Sequence, residues 1–266
     1  MKINWLRKLS ISLVTFSVGV ICTHVSCSHA ATENASSPVP IFFNTDINTE
    51  LTIPSVVPET QAMINFMEDQ LHIKFTLQRQ PWKRALKSAY AGEGLIMGIS
   101  KTKERLDNLN FSEPFSEDNA WLITRCDKRF QFNNLSDLQG KTIGMVRGTS
   151  AGTNFDLQEN RLFILENDPD STTARLIKLS KMRMDAIVFL KNSATPMDKM
   201  DKELNENFSQ NNLIKKTDRS FFCILPKPVD TVCIPIAMSK NLDQSLLNQI
   251  NQAIFLARKK GILKKN

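Results

Sequence analysis

Histidine is scarce: three occur among 266 residues, and His24 and His29 fall within the first 30. The remaining one, His72, closes an apolar helical pattern, where a surface or packing role suits it. A nucleophilic triad built on histidine, or a histidine-rich metal site, is excluded by supply alone. No cysteine pair has zinc-ligand spacing, and beyond the N-terminus no apolar run approaches the ~20 residues that cross a bilayer. Internal repeats and low-complexity tracts are also missing, which removes solenoids and disordered linkers from consideration.

What the N-terminus does contain has a recognisable order. Lys2, Arg7 and Lys8 precede an apolar run from Leu9 to Cys22, and the small-residue site Ser28-His29-Ala30 follows. This reads as a secretory signal, residues 1–30, cleaved before Ala31. The run, about 14 residues, is short for a membrane anchor. A lipid anchor would need a cysteine preceded by small residues; Cys22 follows Ile21 and Cys27 has His24 three positions before it, so neither site is good. Export to the periplasm is therefore expected.

Three of the 34 basic residues leave with that segment, so 31 remain against 27 acidic residues, a net charge of +4. So mild an excess gives no reason to expect nucleic acid as a partner. The lysines gather mainly at the end (Lys259, Lys260, Lys264 and Lys265), as on a solvated helix terminus. Cys126, Cys223 and Cys233 remain after export, and an oxidising compartment permits one bridge among three pairings.

Residues 31–37 read as a flexible leader. Short apolar runs then alternate with helical patterns: strands at 39–43, 73–77 and 95–99, and helices at 59–71 and 82–91, the latter opened by Pro81. A second series has strands at 120–125, 142–146, 162–165 and 184–190, with helices after Gly148-Thr149-Ser150, from Thr172 to Ser180 and from Thr195-Pro196 to about Leu204. Between the first two strands, Leu135 to Gly140 reads as a short helix or turn. A strand at 232–238 and a helix at 242–258 close the chain. Such alternation predicts an α/β fold with largely parallel sheets.

The order of several short segments carries a resemblance. Pro81-Trp82-Lys83-Arg84-Ala85 comes first, then Gly98-Ile99-Ser100-Lys101-Thr102-Lys103-Glu104-Arg105 and Phe111-Ser112-Glu113-Pro114-Phe115. Asp137-Leu138-Gln139-Gly140-Lys141-Thr142-Ile143-Gly144, Arg147-Gly148-Thr149-Ser150 and Met184-Asp185-Ala186-Ile187 follow. Over residues 39–266 the chain resembles the family 3 extracellular solute-binding proteins, the polar-amino-acid-binding type exemplified by glutamine-binding proteins. The resemblance implies a periplasmic binding protein-like type II fold: two α/β lobes, joined by two hinge strands, that close on a ligand. Lobe 1 would span 38–117 and 235–266, lobe 2 118–234, with crossovers at 120–125 and 232–238. Cys126 and Cys233 would then lie near one hinge, whereas Cys223 and Cys233 are closest in sequence; the pairing stays open.

The resemblance also nominates ligand contacts. Arg105 would grip a carboxylate, because a planar guanidinium donates two parallel hydrogen bonds that lysine cannot reproduce. Gly98 and Ser100 leave a buried strand at its carboxyl end, where open α/β sheets bind ligands. Gly148, Thr149 and Ser150 would present free N–H groups at a helix N-terminus to an anion. Asp46, just past the first strand, would meet a ligand's amino group, and Trp82 suits lobe packing better than a cleft wall. One departure stands out: where amino-acid binders carry an aspartate for the ligand's ammonium, this chain has Leu190. An ammonium buried without a carboxylate is costly, so the expected ligand is a carboxylate lacking that group, unless Asp46 alone serves it.

Three functions compete. A monomeric transport receptor would hand its ligand to an ABC permease, and an adaptor would instead engage a membrane sensor. An enzyme like the cyclohexadienyl dehydratases would need a cleft acid, for which Asp46 is the main candidate and no paired-carboxylate motif exists. The reading that results is a binding protein, not an enzyme, with a small-molecule ligand and no cofactor or metal.

Overall fold

A computed structural model describes residues 37–44, 58–168, 171–210 and 220–264. The expected export signal and Asp46 lie outside these. Among the described residues, no helix is long and apolar enough to cross a membrane.

The first sheet is built from β1 (Val39–Asn44), β2 (Phe75–Gln80), β3 (Leu95–Met97), β4 (Leu109–Phe111) and β11 (Ile236–Ser239), in the order β2-β1-β3-β11-β4. β1 runs parallel to β2 and β3, whereas β11 runs antiparallel to β3 and β4. Every residue of β3 is buried, which explains its unbroken apolar sequence at the middle of a covered sheet. On one face α1 (Pro58–Leu71) and α7 (Ser245–Lys259) pack through Met63, Met67, Ile250 and Ile254 onto Ile41 and Leu95. On the other, α2 (Trp82–Tyr90) packs Ala85 and Ala89 against Phe42 and Ile96. Small residues at those helix positions let the backbone approach the sheet closely.

The second sheet comprises β5 (Ser116–Arg125), β6 (Thr142–Val146), β7 (Ile164–Asp168), β8 (Ala186–Asn192), β9 (Phe222–Ile224) and β10 (Asp230–Ile234). Its order is β10-β5-β8-β6-β7, with β9 pairing β5. β6, β7 and β8 are parallel, and β5 is antiparallel to β8, β9 and β10. α5 (Thr172–Ser180), capped by the Ser171 hydroxyl, and α6 (Met197–Gln210) cover the face bearing Trp121, Ile123 and Ile187.

The chain passes between the sheets twice. The first passage is 112–115, between β4 and β5, and the second is the single residue Pro235, between β10 and β11. The sequence predicts one strand over 232–238; Pro235 splits it, because proline cannot donate to a ladder. The passages are tied to each other. Ser112 N–H donates to Ile236 O at 2.8 Å, Phe115 N–H to Ile234 O at 3.1 Å, and Ile236 N–H to the Ser112 hydroxyl at 2.9 Å.

Other departures have local causes. His72 at φ 54° ends α1, and Glu68 accepts from the Phe75 N–H, so β2 starts later than the apolar pattern suggests. The short elements β4, β9 and α3 (Lys103–Asn108) are too brief to show a period in sequence. The helix expected directly after Gly148-Thr149-Ser150 starts only at Thr153 and is one turn long, α4 (Thr153–Asp156).

The disulfide joins Cys126 to Cys223, with Cα atoms 5.0 Å apart, and Cys233 is free and exposed. Neither pairing that would use Cys233 forms. β9 pairs with the far end of β5, where Thr124 faces Cys223, while β10 pairs with its beginning, where Glu117 faces Cys233. Most of β5, roughly 30 Å at 3.3 Å per residue, separates Cys233 from Cys126.

A candidate solute-binding site around Arg105

α3 positions the central arginine. Thr102 caps the helix, its hydroxyl accepting from the Arg105 N–H at 3.3 Å. The side chain turns back into the protein and is only 4 % exposed. One guanidinium nitrogen, Nη1, donates to Ser100 O at 2.7 Å and to the Ser100 hydroxyl at 3.0 Å; the other, Nη2, reaches Gly148 O at 2.7 Å. Trp82 Nε1–H donates to the same Gly148 carbonyl at 2.7 Å, and the Arg105 guanidinium lies 5.5 Å from the Trp82 ring centre. Burial pulls the Arg105 pKa below the ordinary arginine value, while Tyr90, Asp156 and Glu104 oppose that shift. An arginine stays charged regardless, so the guanidinium is a buried cation held by two carbonyls and one hydroxyl.

Gly148 is shaped for this role. It sits at φ +80°, open to glycine and strained for other residues, in a turn closed by Thr149 N–H donating to Val146 O at 3.1 Å. The Thr149 hydroxyl donates to Val146 O as well, at 2.7 Å. Ser150 is buried and donates to Asp156, which also accepts from Ala151 N–H at 3.1 Å. Burial raises the Asp156 carboxyl, against the Ser150 and Ala151 donors and the nearby charge of Arg105. Gly152, at φ +111°, abuts Asp230 so closely that an added Cβ would lie 2.1 Å from Asp230 Oδ2.

Arg105, Gly148 and Thr149 border one groove of about 620 Å³. Lys83, Leu86, Lys87 and Tyr90 of α2 line it too, together with Thr102, Glu104 and Arg147. Ser100 touches the arginine without lining the groove. Gly98 is exposed at φ +75° with nothing within 4 Å of an added Cβ, so its backbone conformation, not tight packing, calls for glycine there. Trp82 is 3 % exposed and packed beside Ala85, Ile96 and Val146. The dipole argument for Gly148-Thr149-Ser150 gives way: these residues form a turn ahead of a one-turn helix, and the group facing Arg105 is a carbonyl.

Leu190 lies opposite Ala120 in the β5–β8 ladder and packs against the cores of both sheets. Sequence reasoning missed Asp118, two residues before Ala120 and therefore on the same face of β5. Burial pushes its carboxyl up to about 6, opposed by the charge of Lys191. It also missed Lys83 and Lys87, whose four-residue spacing on a predicted helix was visible, and Arg147, directly before the glycine.

The architecture is that of a type II periplasmic binding protein, two α/β lobes joined by two hinge strands. Solved structures of this fold align along most of the chain. An amino acid ABC transporter substrate-binding protein from Streptococcus pneumoniae, bound to L-arginine, matches with a TM-score of 0.61 at 17% identity, covering 85% of this chain and 90% of that one. A mutant of the T. maritima arginine-binding protein matches at 0.60 and 19% identity, covering 84% and 90%. A histidine kinase sensor domain similar to periplasmic binding proteins matches at 0.63 and 14% identity, covering 85% and 92%. The family model for bacterial extracellular solute-binding proteins, family 3, matches residues 60–266, and the chain belongs to that family.

Proposed function

We propose that this protein is a periplasmic receptor that captures a small carboxylate-bearing solute between its lobes, unchanged chemically, and delivers it to an ABC-type permease. The lobes are residues 38–117 with 235–266, and 118–234. The observation that carries the reading is the bridge from Arg105, anchored on Ser100, to the Gly148 carbonyl across the groove. A carboxylate is the stronger acceptor, since it carries a full charge and can take two parallel N–H bonds from the guanidinium fork where a carbonyl oxygen takes one. It would therefore take the carbonyl's place on Nη2 and keep the guanidinium as the link between lobes. Gly98, Ser100, Thr149 and Ser150 would frame it. Leu190, apolar where an ammonium would need a partner, favours a ligand without an α-amino group. The structural relatives bound to L-arginine mark amino acids as the nearest chemical comparison.

Isothermal titration calorimetry tests this, using hits from a thermal-shift screen of carboxylates and their amino-bearing counterparts. Arg105→Ala should cost about 2–5 kcal/mol of binding, because a buried charge-assisted pair loses one partner. Arg105→Lys should recover part of it, the two-pronged geometry being lost. Unchanged affinity in Arg105→Ala, or recovery of a chemically altered ligand by mass spectrometry, refutes the reading.

A further inference from the structure

The groove beside Arg105 is markedly one-sided in charge. Lys83 and Lys87 occupy one face of α2, a helical turn or about 6 Å apart, and Arg147 stands across from them on the turn after β6. With Arg105 they put four cations on one concave surface, against a single acid among its lining residues, Glu104. None of the four forms an ion pair among the described residues. Among the described residues the Arg147 guanidinium makes a single hydrogen bond, a long one of 3.4 Å to Asn167 O. Like charges four residues apart on a helix destabilise it, and facing them with a third cation adds to the repulsion. Folding alone gives no reason for that arrangement; an anion in the groove does.

We propose that the groove takes a small solute bearing two or more oxyanion groups, one held by Arg105 and the others by Lys83, Lys87 and Arg147. This rests on the reading of the chain as a small-solute receptor and names the ligand class. The volume of about 620 Å³ suits a metabolite, being within the range of roughly 300–1,000 Å³ of small-molecule pockets. Its apolar wall, Leu86 and the Tyr90 ring, would pack against a carbon skeleton, and the Thr102 hydroxyl, which only accepts from the Arg105 N–H, can donate to a further oxygen. A ligand of this kind has no use for a carboxylate opposite an ammonium, which accords with Leu190.

The test is calorimetry at fixed ionic strength with citrate, inorganic pyrophosphate, acetate and a poly-glutamate peptide, on protein recovered from the periplasm of an expression host. Citrate or pyrophosphate should bind at least about tenfold more tightly than acetate, and each of Lys83→Gln, Lys87→Gln and Arg147→Gln should weaken that binding by about tenfold. These side chains are exposed, and unchanged melting temperatures will show that the variants fold. Citrate alone identifies a polycarboxylate, pyrophosphate alone a phosphate-bearing solute, and either supports the proposal. Binding of the peptide but of neither small anion assigns the groove to an acidic protein segment and overturns it. Equal affinity for acetate and citrate, or full binding in the triple variant, also overturns it. If an Arg105-dependent monocarboxylate binds while the lysines are irrelevant, the groove proposal falls and the receptor stands. If citrate needs the lysines but not Arg105, the proposal, which places one group on Arg105, is overturned together with the Arg105 clamp.

Discussion

Asp118 shows what burial does to one side chain. Its carboxyl titrates at about 6 instead of its usual 3.8, desolvation outweighing the neighbouring Lys191 charge. A carboxyl raised in the folded state favours folding while protonated and opposes it once charged. The unfolded chain loses that proton near pH 4, so stability should decline as pH rises from about 4 to about 6 and stay lower above. Allowing for partial exposure, the loss is about 2 kcal/mol. Asp118→Asn should therefore melt at higher temperature than the wild type at neutral pH and match it near about pH 4. Thermal melts across that range decide it, and parallel curves would show that Asp118 contributes nothing. The same residue marks a limit of sequence reading. Arg105 could be singled out because its segment has a distinctive order, but Asp118 lies in no such segment, and only its strand register reveals its neighbours.

At the scale of elements, long periodic stretches were legible and short ones were not. α1, α2 and α7 each carry an apolar stripe, and the buried strands β3 and β6 are dense apolar runs, so their positions followed from pattern alone. α3 and β9 are too short for any period, yet one carries Arg105 and the other half of the disulfide. Cysteine spacing could not choose the bridge because strand order decides which ends of β5 meet which partners. Cys126 and Cys223 are 97 residues apart in sequence, and on chain entropy alone closing a loop of that order stabilises by about 4.7 kcal/mol. Cys126→Ser with Cys223→Ser should lower the melting temperature clearly. It should leave solute affinity intact, because the bridge sits at the opposite end of β5 from the interlobe passage. A double variant that melts like the wild type, or one that loses binding while folded, would contradict this.

For the whole molecule, a receptor reading requires that the two lobes separate and come together. A ligand shifts such an equilibrium only through contacts made better in one arrangement than in the other, and the Arg105–Gly148 bridge is where those contacts concentrate. Small-angle scattering should show a larger radius of gyration for Arg105→Ala than for the wild type, and a decrease on adding a bound solute to the wild type. Identical scattering in all three samples would mean a rigid body and would count against capture by closure.

The passages between the sheets bear on how such a protein measures its cargo. Ser112 holds the second strand with both its backbone and its hydroxyl, and Pro235 supplies a stiff link between Ile234 and Ile236. Two strands fastened together in this way would bend as one, about a shared axis, so lobes that close would travel on a fixed arc with little sideways play. On a fixed arc, the width of whatever lies between the jaws determines how far they shut. In a receptor that closes on its solute, the joint would then work as a caliper: a solute too bulky would leave the jaws ajar, and a membrane partner that docks only to a fully shut receptor would read size as an angle.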